Sequence, residues 1–509
     1  MRIVGLTNTF QDIARETPSR PFAVTPDGVL TMGDLSAQAD TMAFRLRDAG
    51  ARPGDRILVM MRNSPAALAL VHGILRAGMV WVPANPALVG TSLSHAVSLV
   101  EASLIFCDAE AAPVLDACGA TAPLGRIEMT DTSAPAPSRM AWDGPVPGPQ
   151  DTAALMYTSG TTGPSKAVIV THTMLELAAQ SVAFCASLAR GDSLYMWEPF
   201  YHIGGAQLIV LPILHEVTLT MRDRFSASHF WEDVSQSGCT HIHHLGGVVQ
   251  ILLKQPETPY EKDHSVRIAW GGGCSTEAWR PFEQRFGVKI HECYGMTESS
   301  SLTTCNTEGV VGAVGRPLPW FTVDILDEDG RALDRGQGRG EIVVNTSVPG
   351  AIFPGYYHNA EATKKALRPT GFHTGDMGSW DESGMLLFHG RMGDSIRVRG
   401  QNVSAHEVES VANLHPSVSE SAMVGVPAEI GEHDILLFVR PNEGATINAA
   451  TLGEWLETQL PHYQRPRYIK TIEDFPKTPS QRIQKHRLPR DLDGAWEYAK
   501  RKTTGKVSP

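Results

Sequence analysis

The run Tyr157-Thr158-Ser159-Gly160-Thr161-Thr162-Gly163-Pro164-Ser165-Lys166 constrains this chain more than any other segment, because it prepares backbone and side chains to hold a polyphosphate. Gly160 and Gly163 let the backbone turn its amides toward an anion, the hydroxyls of Thr158, Ser159, Thr161 and Thr162 add donors, and Lys166 supplies a point charge. The apolar runs Ala153-Ala154-Leu155-Met156 before it and Val168-Ile169-Val170 after it place the loop behind a buried strand. A solvated Ser/Thr/Gly connection shares the composition without requiring those flanks. A Walker-type loop is excluded by spacing: it needs a Gly-Lys pair followed by Ser or Thr, whereas here Ser165 precedes Lys166 and Ala167 follows.

The chain has 509 residues and is 42% hydrophobic, enough for large cores in two or more units. With 44 basic against 55 acidic residues the net charge is -11, which disfavours nucleic acid and anionic membranes as partners and favours small molecules. Seven cysteines lie scattered without a CxxC pair, suggesting neither a zinc site nor a disulfide framework. Met1 to Leu6 lacks the apolar core of a signal peptide, and no apolar stretch reaches membrane-spanning length. The expectation is a soluble, cytoplasmic protein without integral membrane association; a homodimer is compatible with it.

Short apolar runs alternate with helical patterns in the first hundred residues: Ile57 to Met61, a helix near Pro65 to Ala77, then Val80 to Pro83. This order predicts parallel α/β packing with a sheet covered on both faces. The Pro/Ala-rich stretch Thr132 to Gln150 reads as a surface connection, and Val310 to Tyr357 as a small β-rich subdomain with Gly/Asp turns. The fold class expected is therefore α/β: a large N-terminal domain of α/β-sheet subdomains plus the β-rich one over 1–392, and a small, mobile α+β C-terminal domain over 393–509. The hinge falls near Gly393 and Asp394.

Seven segments follow the loop in order: Glu198 to Gly205, Trp270 to Gly273, Glu292 to Ser299, Phe372 to Asp376, Gly390-Arg391, Arg399 to Asn402, and Pro476 to Lys485. In type, order and spacing they resemble the adenylate-forming superfamily of acyl-CoA synthetases, adenylation domains and luciferases, over nearly the whole chain. The resemblance implies that a carboxylate attacks the α-phosphate of ATP, pyrophosphate leaves, and developing charge on phosphorus oxygens is met by donors and Mg²⁺. It implies that Thr297 bonds the α-phosphate, that Glu298 with Thr161 holds Mg²⁺, and that Gly271, Gly272, Gly273, Tyr294 and Gly295 receive adenine. Asp376 would accept the ribose hydroxyls and Arg391 would reach the ribose or phosphate. The carboxylic acid would meet His202, Gly204, Gly205, His244, Gly246, Gly272, Met296 and Ser299. Taken singly, several of these have plainer readings: Glu298 as a helix-start carboxylate, the glycines as a tight turn, Asp376 and Arg391 as surface charges.

One segment departs from the family. Where the family pattern has Gly-Lys, this chain has Gln481-Arg482, with Lys485 three residues on. Arginine keeps the charge without the compact ammonium geometry. Three outcomes stand: Arg482 serves adenylation, Lys485 does, or adenylation is weak. Asp394 to Ser404 and, more loosely, Thr240 to Gly246 resemble the crotonobetaine/carnitine-CoA ligase-like branch. That implies coenzyme A as acyl acceptor, with Gly400 giving the thiol arm access and Arg397 and Arg399 meeting its phosphates. A free-standing acid-CoA ligase is expected; loading of a carrier-protein thiol and a catalytically silent nucleotide- or acyl-binding regulator are the competing readings. The acid itself is left open.

Overall fold

The apolar runs of the first hundred residues become parallel strands and the segment between them becomes a capped helix. The computed structural model describes residues 3–158, 166–245, 247–398, 401–428, 433–477 and 482–498. They form two compact units: the first draws on Met1–Ser159, Ser165–Val323 and Val344–Phe372, the second on Asp324–Val343 and His373–Pro509. Among the described residues no helix is long and apolar enough to cross a membrane.

The first unit holds two sheets. In the six-stranded sheet Arg56–Met60 lies parallel to Val80–Pro83 and to Leu104–Asp108, as the strand-helix-strand order requires. The helix between the first two, Pro65–Arg76, starts on Ser64, whose hydroxyl accepts from the Ala67 amide, with proline in the first helical position. It is buried along its whole length. The expected phosphate-loop strand is Thr152–Tyr157, and it pairs antiparallel with Ala167–Thr171. The loop is thus a hairpin connection, whereas a Walker loop opens a helix. In the nine-stranded sheet, strands Ser193–Met196, His241–Leu245, Ile268–Gly272 and Lys289–Tyr294 are neighbours and run parallel. Their covering helix Thr276–Phe286 begins at a Ser275 cap, ends at Gly287 in the left-handed region, and packs Trp279, Phe282 and Phe286 into one apolar core.

The stretch Thr132 to Gln150 carries no helix or strand, as its composition predicts. The β-rich pattern does not stop at Tyr357, however: strands Gly371–Trp380 and Leu386–Arg391 pair antiparallel beyond it. Alternating burial along Gly371–Trp380 is the period-two signal that the intervening helix Ala360–Ala366 had obscured. The second unit continues with the antiparallel pair Ser395–Val398 and Gln401–Ser404, and with a four-stranded sheet built on Val418–Pro427 and His433–Pro441.

Three histidines inside the first unit are held neutral. Burial, with Arg76 adding to it, pushes His72 down to about 3, and burial pushes His172 and His241 down to about 4. Their folded pKa values lie below the ordinary 6.5, so the unfolded chain takes up protons first as pH falls. The stability they contribute is complete above 6.5 and is lost toward the folded values. Denaturant midpoints should therefore fall between about pH 7 and pH 5, less steeply in a His72→Gln variant, which keeps a donor for the Ile209 carbonyl. A midpoint that is level, or a slope unchanged by the substitution, would contradict this.

Candidate active site

Because four neighbouring strands run parallel, whatever follows their carboxyl ends emerges at one edge of the sheet, where open α/β sheets receive ligands. That edge gathers Glu198 to Gly205, His244, Gly271 to Cys274 and Tyr294 to Ser299. The backbones approach so closely that side chains are excluded at two points. Gly271 has φ 151°, and a Cβ there would lie 1.8 Å from the His244 carbonyl oxygen; at Gly295 it would lie 2.0 Å from that of Ser301.

Two buried acid-histidine pairs stiffen the edge. Glu292 accepts from the Gly273 amide at 2.5 Å and the Cys274 amide at 3.1 Å, tying down the glycine turn from the neighbouring strand. Burial raises its carboxyl well above the ordinary range, and pushes His244, 3.7 Å away, down to about 3. That separation is too long for a hydrogen bond. His243 Nδ1 bonds Glu198 Oε1, both side chains being buried. Asn63, just past strand Arg56–Met60 of the other sheet, donates to the Glu198 carbonyl at 2.7 Å and accepts from the Phe200 amide at 2.9 Å. The carboxyl ends of the two sheets are thereby joined. His202 precedes the short helix Ile203–Ala206, which carries Gly204 and Gly205, and its ring lies 5.4 Å from that of Tyr201.

Thr297, Glu298 and Ser299 form a single 3-10 turn after strand Lys289–Tyr294, with Met296 extended before it. The Glu298 carboxylate is buried and accepts from the Tyr356 hydroxyl at 2.8 Å. The Lys166 ammonium stands 4.7 Å from the centre of the same tyrosine ring. Tyr356 is held in turn by a bridge to Val168 and by the Tyr357 amide donating to the Ala167 carbonyl at 2.8 Å. One aromatic residue therefore fixes the end of the phosphate loop against the acidic turn. Thr158 closes the loop's neck, its amide donating to the Lys166 carbonyl at 2.8 Å. Ser299 is fully buried, its hydroxyl bonded to that of Thr303 at 2.8 Å and to the Met296 carbonyl at 3.3 Å.

In the second unit Asp376 and Arg391 face each other across paired strands, and Arg391 Nε lies 3.0 Å from Asp376 Oδ1. Thr374 supports this aspartate, its hydroxyl accepting from the Asp376 amide at 3.1 Å while donating to the Ile342 carbonyl at 2.7 Å. Met392–Asp394 is a 3-10 turn. Arg397 lies on strand Ser395–Val398, in register with Asn402. Lys485 bonds Glu409 at 2.7 Å and lies 3.7 Å from Asp394. Burial works against its ammonium, yet Glu409 and Asp394 hold its pKa above the ordinary lysine value. Arg482 precedes Ile483, which forms a β-bridge with Lys477. Ser159, Gly160, Thr161, Thr162, Gly163, Gly246, Arg399 and Gly400 lie outside the described residues.

Sequence reasoning missed Tyr356, Glu292 and Asn63 as parts of this arrangement. The Gly355-Tyr356-Tyr357 triplet was a visible signal for the first. Glu292 heads the Glu292 to Ser299 segment but acts through Gly273 and Cys274, which that segment does not contain, and Asn63 acts through partners distant in the chain that no local pattern marks.

The AMP-binding enzyme family matches residues 10–357, and the C-terminal domain of AMP-binding enzymes matches 407–482. The chain belongs to the AMP-binding enzyme family. Within it, a sulfoacetate-CoA ligase from Cupriavidus necator is 30% identical, covering 93% of this chain and 95% of that protein. A crotonobetaine/carnitine-CoA ligase from Salmonella typhimurium is 29% identical over 89% and 92% of the two chains. The solved structure of ATP-bound MatB from Rhodopseudomonas palustris superposes with TM-score 0.82 at 28% identity, over 94% of this chain and 97% of that one. This AMP-binding enzyme thus has the fold of adenylate-forming enzymes along nearly its full length.

Tyr356→Phe keeps a ring beside Lys166 and removes the hydrogen bond to Glu298. It should slow acid-dependent AMP formation by roughly tenfold, the weight of one charge-assisted hydrogen bond, with the fold intact by circular dichroism. Unchanged turnover would show that the bond is incidental.

Proposed function

We propose that this chain is an ATP-dependent, AMP-forming acid-CoA ligase acting on a small, polar carboxylic acid. The observation that carries the reading is the convergence of Lys166 and Glu298 on Tyr356, beside the glycine turn at the parallel strand ends. A cation for leaving phosphates and an oxygen ligand for a hard cation are what nucleotidyl transfer to a carboxylate requires.

In the first step a carboxylate oxygen bonds the α-phosphorus of ATP and the bond to pyrophosphate breaks. Lys166 and the loop hydroxyls of Thr158, Ser159, Thr161 and Thr162 hold the departing phosphates, and Thr297 bonds the α-phosphate. Glu298, already oriented by Tyr356, is suited with Thr161 to hold Mg²⁺, which when bound would neutralise charge on the phosphate oxygens. Gly271 to Gly273 and Tyr294 receive adenine, and Asp376 with Arg391 receives the ribose. The acid lies against His202, Gly204, Gly205, His244 and Met296; Ser299, buried and bonded to Thr303, holds the turn that carries Thr297. In the second step the CoA thiolate attacks the acyl carbonyl and AMP leaves with the original carboxylate oxygen. For this the C-terminal part turns about Gly393 and Asp394, bringing Arg397, Arg399 and Gly400 to CoA.

A small polar acid is favoured by the polar side chains of His202 and His244 at the strand ends and by relatives named for sulfoacetate and for crotonobetaine and carnitine. The seven unpaired cysteines suit a reducing compartment such as the cytoplasm. A panel of short charged, short apolar and long-chain acids, assayed for AMP release with and without CoA, tests the assignment. CoA-dependent turnover with short charged acids is expected. Turnover confined to long-chain acids would refute the substrate class, and pyrophosphate release that CoA never accelerates would point to a different acceptor thiol.

We assign adenylation to Arg482 because it stands where the family pattern has its lysine, whereas Lys485, three residues on, is buried against Glu409 and Asp394 within the C-terminal part. Arg482→Ala should reduce acid-dependent exchange of pyrophosphate into ATP by at least roughly tenfold, as loss of one electrostatic stabiliser of the transition state does. Lys485→Ala should affect that exchange less and lower thermal stability more; the opposite ranking would transfer the role to Lys485.

A further inference from the structure

Away from the nucleotide machinery, three thiols meet in the first unit. Cys185 ends helix His172–Cys185, Cys293 lies on strand Lys289–Tyr294, and Cys305 lies on strand Thr304–Asn306. The two strands are antiparallel and place Cys293 directly opposite Cys305. All three Sγ atoms lie within 4.8 Å of one another, and Cys293 and Cys305 are separated by 3.8 Å. None is in a disulfide, and their residues are 0%, 4% and 6% exposed in the order 185, 293, 305.

The spacing is that of ligands rather than of a covalent pair. Sulfurs in a disulfide stand about 2 Å apart. Three thiolates bound to one ion through bonds of about 2.3 Å sit roughly 3.4 to 4 Å apart, closer around a pyramidal ion than around a planar one. Hydrogen bonds among reduced thiols account for the pairwise sulfur contacts, but they do not require a helix end and two strands to bring three sulfurs to one point. The backbone of that third ligand is fixed from outside: His291 Nδ1 donates to the Cys185 carbonyl at 2.7 Å.

We propose that Cys185, Cys293 and Cys305 form a three-thiolate site for a thiophilic ion, with trivalent arsenic its best charge match. Three thiolates carry three negative charges, so a monovalent or divalent ion leaves a buried anion, whereas a trivalent one leaves a neutral cluster that a dry interior tolerates. Arsenous acid supplies it without any redox change: three As–O bonds break, three As–S bonds form, and the thiol protons leave with the hydroxides as three waters. Loading would tie the end of one helix to the two strands that flank Tyr294 and Glu298.

The test uses the full-length reduced protein equilibrated with arsenite. Native mass spectrometry should show one arsenic per chain, and X-ray absorption on that sample should show three sulfur neighbours and no oxygen. Cys185→Ser, Cys293→Ser and Cys305→Ser should each weaken uptake by at least tenfold, while Cys118→Ser should not. No uptake by the folded wild-type protein, fewer than three sulfur neighbours, or uptake indifferent to all three substitutions would overturn the proposal. The absorption measurement needs no variant, so a substitution that fails to fold leaves the question decidable.

Discussion

The parallel alignment of Ser193–Met196, His241–Leu245, Ile268–Gly272 and Lys289–Tyr294 is the constraint from which the rest of the site follows. Parallel strands all point their carboxyl ends the same way, so four connections that are far apart in the chain must begin at one edge. Close backbone approach then dictates glycine at 271 and 295, and buried carboxylates find partners within the edge itself. Glu292 on the Gly273 and Cys274 amides and Glu198 on His243 are those partners. A flat, rigid floor results, and rigidity is what electrostatic stabilisation of a phosphoryl transition state demands.

Against that floor stands the hairpin of Thr152–Tyr157 and Ala167–Thr171, which brings the phosphate loop's lysine to Tyr356. Tyr356 is a positioning residue, with its ring to Lys166 and its hydroxyl to Glu298, so a cation and a carboxylate proposed to act on opposite ends of a triphosphate share one support. The second unit contributes differently. Its Asp376-Arg391 pair lies before the proposed hinge at Gly393 and Asp394 and its Lys485-Glu409-Asp394 cluster at and after it, so each pair stays on its own side when the proposed rotation changes what the C-terminal part presents.

Much of this could be read in the residues. The apolar flanks of the loop announced the strand before it, the strand-helix-strand order announced parallel pairing, and the ordered segments announced the family that the comparisons establish. What escaped was long-range. Asn63 sits 135 residues from the Glu198 carbonyl it bonds and has no motif signature; Glu292 opens a motif segment, but its reach back 19 residues to Gly273 shows only once the strands pair. The end of the β-rich region was misjudged because a short helix, Ala360–Ala366, interrupts the alternation. The three-cysteine cluster was invisible for the same reason as Asn63: cysteines at 185, 293 and 305 look scattered until the strands pair.

The central claim is that one oxygen of an organic acid bonds the α-phosphorus of ATP at this edge. Turnover of an acid labelled with heavy oxygen in its carboxylate, in the presence of CoA, tests it most directly. The account predicts one labelled oxygen in the AMP released and none in pyrophosphate. Label in pyrophosphate or inorganic phosphate, with unlabelled AMP, would contradict it.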